Sequence, residues 1–69
     1  MTREILFIVS DSPEGGFEAR ALGHSIYTEA DTQEELRDMV RDAVAVHFEA
    51  GARPSMIRLH FVREEVLAA

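Results

Sequence analysis

The chain contains no cysteine, no tryptophan, no lysine and no asparagine among its 69 residues. Without cysteine it can form neither a disulfide nor a thiolate metal site. With lysine absent, all seven cations are arginine, a bias shared by GC-rich and heat-adapted sources. Long apolar runs are missing too. The first, Ile5-Leu6-Phe7-Ile8-Val9, lies between Glu4 and Asp11 and is too short for a signal peptide or a membrane span. A cytoplasmic location without membrane contact is therefore expected. Cations are scarce: 7 against 13 carboxylates leave a net charge of −6. Such a surface repels a phosphate backbone, so nucleic acid is not an expected partner. It would suit a basic protein.

The composition, 46% hydrophobic and 29% charged, is that of an ordinary globular chain. Its length allows one domain, residues 1–69. A chain this short buries only about 60% of its unfolded surface. Self-association into a dimer or a larger homo-oligomer is the expected source of extra stability.

The first strand is expected from Arg3 to Ser10, with Ile5, Phe7 and Val9 on one face and Leu6 and Ile8 on the other. Asp11-Ser12-Pro13-Glu14-Gly15-Gly16 reads as a turn. Phe17 to Leu22 forms the second strand. Gly23-His24 is a tight connection, and Ser25 to Ala30 forms the third strand. Thr32 and Glu35 make a capping box, with the Thr32 hydroxyl accepting from the Glu35 N–H and the Glu35 carboxylate returning to the Thr32 N–H. Asp31, Glu34 and Glu35 complement the helix dipole.

The helix should run from Gln33 to about Ala50. Leu36, Met39, Val40, Ala43, Val46, His47 and Ala50 share its apolar face, opposite Glu34, Asp38, Arg41, Asp42 and Glu49. Gly51 is the expected C-cap. Ser55 to Val62 is the last strand, with Ile57, Leu59 and Phe61 alternating against Arg58 and His60. The fold class is α+β, a single β-β-β-α-β domain. Three strands form an antiparallel meander, a fourth runs parallel to the first in the order 3-2-1-4, and one helix covers one sheet face. The other face carries Leu6, Ile8, Met56 and Val62, which a second copy could bury.

Sites of chemistry are hard to find. Asp11, Glu14, Glu18, Glu29 and Asp31 read as a solvated polar surface that forms no concave pocket. His24, His47 and His60 share no metal-ligand spacing, so no metal is expected. No serine sits in a nucleophile motif, and Gly15-Gly16 is not a phosphate loop. Catalytic residues and cofactors are therefore not expected. Candidate partner residues are Glu34, Asp38 and Asp42 on the polar helix face, and Phe48, read as an exposed aromatic near Arg37 and Arg41. His60 and the fourth strand are the candidates for self-association. Weak nucleic-acid contact through Arg53, Arg58 and Arg63 is an alternative.

Gly15-Gly16-Phe17-x-Ala19, followed by Asp31-Thr32-x-Glu34-Glu35-Leu36 and an amphipathic helix, resembles the HicB-like antitoxin family. Members of that family carry Gly-Gly-Tyr-x-Ala and Asp-Thr-x-Glu-Glu-Ala. Ala21 to Ile26, Thr28 to Thr32 and Ile57 to Glu65 also resemble a set of small bacterial proteins. Some of these bear the label of a branched-chain 2-oxo acid dehydrogenase (2-oxoisovalerate dehydrogenase) component. The first resemblance implies a non-enzymatic module that binds a small basic RNase toxin. The second implies an accessory role in 2-oxo acid metabolism, although a chain of this size without a phosphate loop or metal cluster cannot hold thiamine diphosphate. Leu22-Gly23-His24 departs from the family's Leu-Pro-Gly-Cys. The family's C-terminal DNA-binding segment has no counterpart here, so autorepression is not expected.

Overall fold

A computed structural model describes residues 3–69. The elements are β1 (Glu4–Asp11), β2 (Phe17–Ala21), β3 (Tyr27–Ala30), α1 (Gln33–His47), a short 3-10 turn (Ala50–Ala52) and β4 (Met56–Val62). They form an α+β fold with one four-stranded sheet in the order β3-β2-β1-β4. β1 pairs antiparallel with β2 and parallel with β4, and β2 pairs antiparallel with β3. The expected meander, parallel fourth strand and strand order are all present.

Strand alternation builds the core. Ile5, Phe7 and Val9 of β1 and Ala19 and Ala21 of β2 are buried beneath Leu36, Val40 and Val44 of α1. Ile57 and Leu59 of β4 are partly buried against the same cluster. The opposite face of β1 carries Leu6 and Ile8, both half-buried, and is flanked by exposed Leu22, Met56 and Val62. The helix lies over β3 and β2, so the inner side of β4 is only partly roofed.

Several boundaries differ from the expected ones. β1 and β4 each begin one residue later than expected, and β2 stops at Ala21. β3 starts at Tyr27, because Leu22 to Ser25 form a wider loop closed by the Ala21 N–H donating to the Ile26 carbonyl at 3.0 Å. Gly23 in that loop has φ +80. The helix ends at His47, not Ala50, and its C-cap is Phe48 rather than Gly51. Phe48 turns to an extended backbone while its N–H donates to the Val44 carbonyl. Phe48 still packs against the core, one i, i+4 step beyond Val44, so the helix ends without losing that contact.

The apolar stripe of the helix is also displaced. Val44 is buried, whereas Met39 is exposed and Val46 is 87% exposed. Leu36, Val40 and Val44 form one i, i+4 ridge, and a single ridge fills the shallow space that the small β2 residues Ala19 and Ala21 leave.

Candidate functional site

At one end of the sheet the β1–β2 turn meets the junction of β3 with α1. Gly15 and Gly16, at φ +96 and +80, let the turn close tightly. The Ser12 N–H donates to the Gly16 carbonyl and the Gly15 N–H to the Ser12 carbonyl, each at 3.0 Å. Across from it the helix start is capped. The Thr32 hydroxyl accepts from the Glu35 N–H at 3.1 Å. The Glu35 carboxylate accepts from the Asp31 N–H at 3.4 Å, one residue earlier than the expected return to Thr32. The capping box is thus offset, because Asp31 directs its N–H toward the first turn.

Between these two segments lies an open concavity of about 550 Å³. Glu14, Glu29, Asp31, Glu35 and Asp38 line it, around Phe17 and Met39, and no cation does. This corrects the expectation that no two of the turn and strand carboxylates share a concave surface. The meander brings them together: antiparallel β1, β2 and β3 return the first turn and the end of β3 to the same end of the sheet. Chain separation hides the grouping, but the predicted topology carried the signal.

The expected site residues are not gathered in one place. Asp38 lines the concavity and also pairs with Arg41 at 3.3 Å. Glu34 and Asp42 are exposed elsewhere on the helix. His60 lies on the far face of the sheet, in register with Ile8. Phe48 is half-buried rather than displayed among arginines. Its ring meets His24 at 5.0 Å and His47 at 4.9 Å between centroids, and the two imidazoles stand 5.6 Å apart, all edge to face. This cluster buttresses the helix C-terminus. Helical periodicity alone missed it, because the β2–β3 loop supplies His24.

The arginines are largely engaged. Arg58 binds Glu4 at 2.8 Å. Arg53 donates to the Ala45 carbonyl at 3.1 Å, and Arg3 to the Arg53 carbonyl at 3.3 Å. Of the three arginines expected to touch nucleic acid, Arg58 is ion-paired, while Arg53 is held by a neutral carbonyl and keeps its charge. Among the described residues no group of three or more His, Asp or Glu is placed to hold a metal ion. No helix among them is long and apolar enough to cross a membrane.

Two curated relatives align with this chain. A UPF0150 protein of Archaeoglobus fulgidus is 52% identical over 52 residues, covering 75% of this chain and 77% of the relative. A UPF0150 protein of Thermotoga maritima is 41% identical over 66 residues, covering 96% of this chain and 93% of the relative. No family model and no solved structure matches the chain. The second alignment spans every element of the fold, and on it the chain belongs to the UPF0150 family.

Proposed function

We propose that this protein is a non-enzymatic binding module of the HicB-like antitoxin type, taking a basic protein partner at the acidic concavity. One observation carries the reading: five carboxylates line one concavity around Phe17 and Met39, and of them only Asp38 is ion-paired among the described residues. Like charges drawn together raise the negative potential, and a partner bearing arginines or lysines relieves it. Phe17 and Met39 give the same surface an apolar centre, the usual anatomy of a binding patch. A small basic RNase toxin has the matching chemistry. The reading includes self-association of the chain, supported by the exposed Leu22, Met56 and Val62 around the face opposite the helix.

The test is titration of the purified protein with a small basic RNase toxin of that antitoxin family, followed by calorimetry at two salt concentrations. Binding should weaken as salt rises, and the double variant Glu14→Lys, Glu29→Lys should lose it. Absence of binding by the unmodified chain, or equal binding by the variant, would overturn the reading.

A further inference from the structure

We infer that β4 pairs antiparallel with β4 of a second copy about a two-fold axis at Leu59, and that each C-terminal tail then lies across its neighbour's α1–β4 groove. The inference rests on the self-association part of the proposed function and deepens it by naming the contact and its register.

β4 is an edge strand with one row of backbone groups free. The Met56 N–H donates to the Arg3 carbonyl, so Met56, Arg58, His60 and Val62 turn their backbone groups toward β1. By alternation, Ile57, Leu59 and Phe61 turn theirs outward. An antiparallel partner must match outward residues with outward residues. Three registers do so with substantial overlap, and side chains choose among them. Centring on Arg58 sets Arg58 against its own copy, like charge on like charge. Centring on His60 sets Arg58 opposite Val62 and Met56 opposite Glu64. Centring on Leu59 overlaps the whole strand. It pairs Ile57 with Phe61 and Met56 with Val62, each apolar on apolar, and exchanges about six inter-chain hydrogen bonds.

The same register fixes the tail. Val62 is followed by Arg63-Glu64-Glu65-Val66-Leu67, whose apolar residues stay largely exposed although Glu64 and Val66 lie beside the β1–β2 turn: Val66 is 94% and Leu67 79% exposed. The molecule reaches 51 Å along one axis against 21 and 19 Å. In the Leu59-centred dimer, Glu64 and Glu65 of the second copy pass Pro54 and Arg53. That is the mouth of a groove between α1 and β4, floored by Val40, Ile57 and Leu59 and rimmed by Arg37 and Arg41. Arg37 makes no ion pair among the described residues. Acidic tail meets basic rim, and Val66 and Leu67 bring apolar area to an apolar floor.

The absence of native cysteine makes single-cysteine variants of the full chain clean reporters of register. Leu59→Cys should form a disulfide-linked dimer under mild oxidation, since a two-fold at that residue brings its Cα atoms within bridging range. Ile57→Cys and Phe61→Cys should each stay unlinked alone and cross-link when mixed. Glu64→Arg with Glu65→Arg should raise the dimer dissociation constant roughly tenfold in sedimentation, with recovery on adding Arg37→Glu and Arg41→Glu. A dimer that cross-links through Ile57→Cys alone, or not through Leu59→Cys, overturns the register and leaves self-association standing. A dimer indifferent to the tail charges overturns the tail contact. A chain monomeric at high micromolar concentration overturns both this inference and the self-association reading.

Discussion

Gly16 passes so close beneath Ala30 that a methyl group on its α-carbon would overlap the Ala30 carbonyl oxygen and stand 3.0 Å from the Asp31 α-carbon. Both obstacles are backbone and neither can rotate away. Gly16→Ala therefore faces a steric clash and a φ of +80, which together should cost about 2 kcal/mol or more. Gly15→Ala, with open space around it, meets only the dihedral penalty and should cost about 1 kcal/mol. Urea unfolding of the two variants reads the difference, and equal losses would contradict the close approach.

The cap at the start of α1 predicts a milder effect. Thr32→Ala removes the acceptor for the Glu35 N–H and should cost about 1 kcal/mol. Thr32→Ser keeps that acceptor and should recover most of the loss. Identical melting of the alanine variant and the parent protein would show that water serves the helix end equally well.

The displaced helix stripe gives a sharper contrast. Leu36 and Val40 are almost wholly buried, so Leu36→Ala should destabilise by about 3 kcal/mol and Val40→Ala by somewhat less. Met39→Ala and Val46→Ala, on exposed positions, should each stay within about 0.5 kcal/mol. A large loss at Val46 would restore the stripe expected from periodicity.

Tyr27 is the chain's sole tyrosine. Its phenol is held above its ordinary range first by reduced hydration, then by the Glu18 and Glu29 carboxylates. Its hydroxyl donates to Glu29 Oε2 at 3.4 Å. The side chain is still more than half exposed, so water screens much of that field. Absorbance titration should place its midpoint above that of the unfolded chain, and Glu29→Gln should bring the midpoint down. A raised folded pKa means that this contribution to stability is complete below the unfolded phenol's pKa and is lost as pH rises through the folded one. A midpoint at or below the unfolded value would refute this account of the site.

Much of the architecture was legible before any coordinates, and the reasons are local. β1 is apolar on both faces, which marks an inner strand. Gly15-Gly16 and Thr32 punctuate the chain where it turns and where it starts to coil. The end of α1 was not legible, because the backbone turns extended at Phe48, ahead of Gly51, the residue that marks a stop in the sequence. Nor was the exposure of Val46, since periodicity reports a face without saying how much of that face the sheet can cover. The acidic concavity belongs to an intermediate class. Glu14, Glu29 and Asp31 are unremarkable along the chain, and they line one surface only once the meander has formed. The His24, His47 and Phe48 cluster was hidden because a loop and a helix end contribute to it jointly.

The pairing of Glu4 with Met56 has a consequence for how the chain comes into being. β1 is made before its parallel neighbour β4, with β2, β3 and α1 synthesised between them. Until residues 56–62 have emerged, Ile5-Leu6-Phe7-Ile8-Val9 has one bare edge, and such a segment invites pairing with other chains. The pairing also joins segments far apart in the sequence, and such long-range contacts slow closure. Damage confined to β4 should then lower yield during synthesis more than it lowers the stability of molecules that finish folding.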